Sequence, residues 1–146
     1  MGYCNKFVNT DIKFSKEDTE ALNNFYEEVN KIDEVYFPEL MEFEEVIQTR
    51  QILDEFLNEC IEDFKKGELI PLFHQDNTSD YIMYYNSGDY KGCAFYLSHE
   101  VIIIAPVFNN LKEVTEYLLA KREKFEFDYY GDFIDRFKTI GIEIDQ

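Results

Sequence analysis

Apolar positions early in the chain recur at the helical period. Ala21, Leu22, Phe25, Tyr26 and Val29 make one stripe, the spacing that lays side chains along a single helix face. Ser15 precedes the stripe and Asp18 follows it by three residues, the spacing of a capping box, so a helix is expected to open there. Tyr36-Phe37-Pro38 interrupts the pattern, because the proline steers residue 37 away from helical backbone. A longer helix is expected over residues 43–66. Its apolar members are Val46, Ile47, Leu53, Phe56, Leu57, Cys60, Ile61 and Phe64, and Gly67 stands where a left-handed cap is wanted.

The period then changes. Residues 69–73, 81–85, 93–97 and 101–105 are short runs rich in aromatic or β-branched side chains. Turn formers separate them at Asp76-Asn77-Thr78-Ser79, Asn86-Ser87-Gly88-Asp89 and Ser98-His99-Glu100. Connections this short require antiparallel neighbours, since a parallel crossover needs a dozen residues or more. Ile102 to Ile104 is apolar without alternation, which predicts a central strand covered on both faces. A third helix is expected from Asn110, with Glu113 in the box position and Val114, Tyr117 and Leu118 buried. A short amphipathic segment over 130–138 sets Phe133, Ile134 and Phe137 on one side. The order predicts an α+β fold, a central antiparallel sheet of about four or more strands flanked by N-terminal and C-terminal helices. With no internal repeat, low-complexity tract or linker, residues 1–146 read as a single domain.

Composition narrows the classes. The 146 residues carry 31 Asp and Glu against 14 Lys and Arg, a net charge of -17, yet 45% are hydrophobic and 17% aromatic. A core can be built, so intrinsic disorder is not expected. Without a basic patch to release counterions, nucleic acid is not an expected partner, and anionic membrane surfaces would repel the chain. The longest apolar run, residues 101–106, is far below the ~18 that a membrane helix needs. Residues 1–6 contain no apolar signal region, and Lys6 stands where a myristoylation motif wants Ser or Thr. Cys4, Cys60 and Cys93 are an odd number in no metal-ligand spacing. Cys60 and Cys93 read as small apolar residues, and a reducing cytoplasm is the expected compartment.

Catalytic constellations are missing. There is no Gly-rich phosphate loop, the only closely spaced pair being Gly88 and Gly92, and no serine sits in a nucleophile elbow. The two histidines have acidic neighbours, Asp76 and Asp80 near His74 and Glu100 near His99. They would form a metal site only if two strand ends met, whereas sheet-end histidines ordinarily bond to turn backbone. With 31 acids some carboxylate pair is always close, so proximity selects none. The expectation is a protein that is not an enzyme and needs no cofactor or metal.

The charge is uneven. Residues 1–66 hold 17 acids and 7 bases, and residues 32–64 hold eleven acids with Arg50 as the single base. On the long helix Glu55, Glu59 and Glu62 fall at i, i+4 and i+7 with Asp63 beside them, and like charges so spaced each cost a few tenths of a kcal/mol. Arg50 can pair with Asp54 and Lys66 with Glu62. Two accounts fit this stripe: a solvated face kept acidic for solubility, or a docking surface that attracts a basic partner at long range. Tyr81, Tyr84, Tyr85, Tyr90 and Tyr96 cluster in or beside two strands near Asp80 and Asp89. Alternation must turn some of them outward, as interface anchors, while Tyr84 and Tyr96 are expected to complete a sheet face against a helix.

Residues 67–120 also carry a resemblance. Gly67-Glu68-Leu69-Ile70-Pro71-Leu72-Phe73 resembles the first strand of the SUKH superfamily, the Smi/Knr-type domain. Asp80-Tyr81-Ile82 is similar to its second strand, and Gly92-Cys93-Ala94-Phe95-Tyr96-Leu97-Ser98-His99-Glu100 to its glycine-led strand ending in His-Glu. Phe108-Asn109-Asn110-Leu111 and the helix after it resemble the close of that domain, and residues 37–53 the stretch leading into its second helix. The resemblance spans about residues 37–120 and rests on turns and hydrophobic spacing, not on catalytic signatures.

This resemblance implies an α+β fold with a non-catalytic role. Many bacterial members are immunity proteins that bind and neutralise a toxin domain, often a nuclease. Nuclease domains are commonly basic, so an acidic inhibitor would complement one. The expectation is therefore an immunity-type inhibitor, a monomer or weak dimer, that occludes a basic toxin surface. Glu55, Glu59, Glu62 and Asp63 would supply steering, and Asp76, Asp80, Tyr85 and Asp89 contacts from the sheet end. The alternative is a cytoplasmic scaffold or regulatory module of the same fold, and a metal-dependent hydrolase using His74 and His99 is a remote third.

Overall fold

A computed structural model describes residues 2–31, 38–60, 68–74, 80–98, 106–122 and 129–139. They form a short 3-10 helix (Tyr3–Phe7), α1 (Lys16–Val29), β1 (Glu39–Leu40), α2 (Phe43–Cys60), β2 (Leu69–His74), β3 (Tyr81–Tyr85), β4 (Ala94–Leu97), α3 (Leu111–Arg122) and α4 (Tyr129–Thr139). The fold is α+β, with one antiparallel four-stranded sheet in the order β1-β2-β3-β4.

The helix starts follow the capping chemistry. Ser15 Oγ accepts the Asp18 N–H at 3.1 Å and opens α1. At α3 Asn110 Oδ1 accepts the Glu113 N–H at 2.9 Å, and the Glu113 carboxylate reaches back past the cap to accept the Asn109 N–H at 2.8 Å, a variant of the capping box. Along α2, Val46, Leu53 and Leu57 are buried as expected, but Ile47 and Phe56 are 43% and 44% exposed. At 3.6 residues per turn, Ile47 and Phe56 lie on opposite flanks of the 46-53-57 stripe, so neither shares its buried face. The expected continuation over 61–66, the Gly67 cap and the strand over 101–105 lie outside the described residues, as does the side chain of Cys60.

β1, two residues long, pairs with the end of β2 through Glu39 opposite His74 and Leu40 opposite Phe73. The β2–β3 register shifts between Pro71 and Phe73, leaving Leu72 in a bulge whose carbonyl accepts the Met41 N–H at 2.9 Å. A proline lacks the ladder donor and is tolerated in a strand next to such an irregularity. Between β3 and β4 the chain reverses through Gly88 and Gly92, with φ of 87° and 92°, conformations that glycine adopts without a Cβ penalty. After β4 the chain returns antiparallel, and Ala94 and Phe108 exchange backbone hydrogen bonds at 3.0 Å.

All four residues of β4, and all but the last of β2, are buried. Successive strand residues point to opposite faces, so these strands are covered on both sides. Phe25 of α1 meets Phe73 of β2 edge-on at 5.3 Å, and Phe108, Tyr117 and Phe133 join the return segment, α3 and α4. Tyr84 and Tyr96 are buried, as the sheet-face reading expects. Cys4 and Cys93 are free and half-buried, and burial pushes the Cys4 thiol up to about 11. Among the described residues no helix is long and apolar enough to cross a membrane.

Candidate protein-docking surface

The acidic stripe is best followed outward from Arg50. Its guanidinium does not pair with Asp54 as expected. It forks onto Asp11 at 3.2 and 3.1 Å and reaches Glu68 Oε2 at 3.0 Å. This ties α2 to the segment before α1 and to the entry of β2. Asn86, buried after β3, completes the junction by donating to the Asp11 carbonyl at 3.1 Å and accepting the Lys13 N–H. The hydrogen bond from Arg50 holds the Asp11 carboxyl below the usual carboxylate range, whereas burial raises that of Asp54.

The base on α2 is thus occupied beneath the helix and leaves its outer carboxylates alone. Glu44, Glu45, Glu55 and Glu59 are exposed and form no ion pair with any described residue. On one flank Glu45, Thr49, Ile52, Phe56 and Glu59 follow at steps of four and three, the spacing of neighbours on a helix surface. Ile52 and Phe56 on that flank are 66% and 44% exposed. Its first turns border a cleft of about 430 Å³ lined by Glu39, Leu40, Glu45, Thr49, His74 and Tyr81. His74 stacks on Tyr81 with ring centroids 4.9 Å apart and planes inclined by 15°. Burial first, and then the Glu45 carboxylate, raise the pKa of the Tyr81 hydroxyl.

The expected site residues separate into three groups. Glu55 and Glu59 lie exposed one turn apart on α2, and Asp89 is exposed in the β3–β4 turn. Tyr85 and Asp80 require correction as surface contacts. Tyr85 is 1% exposed and packs against Tyr90 and Phe95, at 5.5 and 5.6 Å. Asp80 is buried and accepts the Tyr96 hydroxyl at 2.7 Å. Tyr85 ends β3, whose last four residues are all buried, and Asp80 stands just before β3, where the Tyr96 hydroxyl of β4 draws it in. Glu62, Asp63 and Asp76 lie outside the described residues, with His99. Ile52 and Phe56 are the surface residues the periodicity did not single out. For Ile52 the signal was present, because it falls off the 46-53-57 stripe.

Among the described residues no group of three or more His, Cys, Asp or Glu side chains is placed to hold a metal ion. A second cleft, of about 480 Å³, lies where the starts of α1 and α3 converge. Lys13 and Lys91 line it together with Glu17 and Asp18, so its charges offset one another. On the α2 flank uncompensated charge and exposed apolar area coincide among the described residues. No family model matches this chain, and neither a curated protein nor a solved structure does.

Proposed function

We propose that this protein is a non-catalytic, immunity-type inhibitor that binds a basic toxin domain, of nuclease type, and neutralises it by occluding its surface in the cytoplasm. The observation that carries the reading is the unpaired acidic flank of α2. Carboxylates that find no partner within the described structure keep their field for an external one, and such a field raises association rates with a basic protein. The α+β fold and the Smi/Knr-type resemblance of residues 37–120 support the same reading.

The test is co-expression with the toxin encoded beside this gene. Restored growth and a complex that weakens steeply with salt are expected. Continued killing without a complex overturns the reading for that toxin. A scaffold or regulatory module is the second reading, favoured by the exposed Ile52 and Phe56, which suit an intracellular partner as well as a toxin. A gene neighbourhood with no toxin would favour it.

A further inference from the structure

We infer that the α2 flank from Glu45 to Glu59 is a docking face for a basic amphipathic helix, with Ile52 and Phe56 as the apolar anchor and Glu45, Glu55 and Glu59 as its acidic rim. This deepens the reading of a basic protein partner and rests on it, but it moves the contact from the sheet end to one side of one helix.

Four large hydrophobic residues stand exposed among the described ones, Val8, Ile47, Ile52 and Phe56. Three are on α2, and Ile52 and Phe56 sit one turn apart on the same flank, the i,i+4 spacing of neighbours on a helix surface. An apolar centre inside a charged rim is the arrangement of a binding surface rather than of a solubilising face, which gains nothing from an exposed Ile and Phe. From Glu45 to Glu59 the flank runs for ~21 Å at 1.5 Å per residue. That length accommodates about four turns of a partner helix laid along it.

Charge selects the occupant. A second copy of this chain carries the same net charge of -17 and would bring its own Glu45, Glu55 and Glu59 against these. Like charges so juxtaposed oppose association. A helix with two apolar side chains one turn apart, flanked by Lys or Arg, satisfies rim and centre together. The ion pairs would lie at the edge, where they set rate and salt dependence, and the apolar pair would set how long the complex lasts.

The probe is an 18-residue helical peptide with two leucines one turn apart and lysines on both sides of them. Its control has serine at both leucine positions. Fluorescence anisotropy at low and moderate salt should show the protein binding the leucine peptide about tenfold or more tighter than the serine peptide. Ile52→Ser with Phe56→Ser should remove that preference while keeping the salt dependence. Glu45→Gln with Glu59→Gln should keep the preference and flatten the salt dependence. Ile47→Ser, on the opposite flank, should change neither. Thermal unfolding by circular dichroism verifies the fold of each variant, and Ile52→Ser alone serves if the double variant unfolds.

Equal binding of the two peptides, or an intact preference in the folded Ile52 variant, overturns the inference. So does sedimentation of the unliganded protein as a dimer that Ile52→Ser dissociates. A neighbouring toxin neutralised without dependence on Ile52 and Phe56 would sink this docking face and leave the inhibitor reading standing. Selective peptide binding with no toxin neutralised would do the reverse.

Discussion

The carboxylate of Asp18, in the first turn of α1, accepts the backbone N–H of Leu111 at the start of α3, 93 positions further along, at 3.0 Å. Asp18 is buried there, next to Ser15 and the convergence of the two helix starts. One side chain thereby satisfies a first-turn donor of a helix to which it does not belong. It also locks the two helices, which pack on each other.

Replacing Asp18 should separate the hydrogen bond from the charge. Asp18→Ala leaves the Leu111 N–H without its buried acceptor and should cost about 1–3 kcal/mol in urea unfolding. Asp18→Asn retains an acceptor oxygen and should cost less. Burial raises the Asp18 pKa above the usual value of about 3.9, so the native state holds this proton to higher pH than the unfolded chain does. Its contribution to stability is complete below the unfolded value and is lost as pH rises through the folded one. The stability of Asp18→Asn relative to the parent should therefore improve between pH 3.5 and pH 7, values chosen to bracket the ordinary carboxylate range of about 4. A constant difference would contradict this.

Arg50 has the opposite pH signature through Asp11. The Asp11 pKa is depressed chiefly by the Arg50 hydrogen bond. The stabilisation is present above the ordinary carboxylate value and disappears as pH falls through the folded one. Arg50→Ala should cost about 1 kcal/mol at neutral pH, since the fork is bidentate and Arg50 itself is largely covered. It should also reduce the loss of stability on acidification. Arg50→Lys, unable to form the fork, should recover only part of the neutral-pH cost.

Glu55→Gln and Glu59→Gln distinguish the two accounts of the acidic stripe. Either substitution relieves an i,i+4 repulsion and should raise stability by a few tenths of a kcal/mol at low salt, with the gain fading at high salt. A docking role adds a cost that solubility does not, a slower association with a basic partner, readable by stopped-flow mixing at two ionic strengths. Unchanged association would leave the stripe a solvated face.

Tyr3 offers a test inside the core. Its ring is 1% exposed, and its hydroxyl has no hydrogen-bond partner among the described residues. Burial drives the hydroxyl pKa far upward, so it stays neutral. Tyr3→Phe removes a buried polar atom and keeps the edge-on contact with Phe7 at 5.2 Å. It should be neutral or raise stability by about 1 kcal/mol in urea unfolding, whereas a loss above that would reveal a hidden partner.

What the sequence alone determined were features whose cause is local. Ser15 and Asn110 open helices because the acceptors are their own side chains. The β3–β4 connection is short enough to force antiparallel neighbours, and Gly88 and Gly92 within it take positive φ without a Cβ penalty. The -17 charge marks the surface as acidic wherever the chain folds. Tertiary structure decided everything that depends on which distant residue arrives first. Arg50 left the nearby Asp54 for Asp11 and Glu68, which hold its planar fork on two sides. Asp18 takes part in its own helix start through Ser15, as expected, and its carboxylate in addition accepts the distant Leu111 N–H. Tyr85 was buried at the end of β3, Asp80 was buried just before it on the Tyr96 hydroxyl, and Phe56 turned out to solvent beside Ile52. Periodicity orders residues around a helix axis. How wide the buried sector is depends on the elements packed against it, and those are brought there by the whole chain.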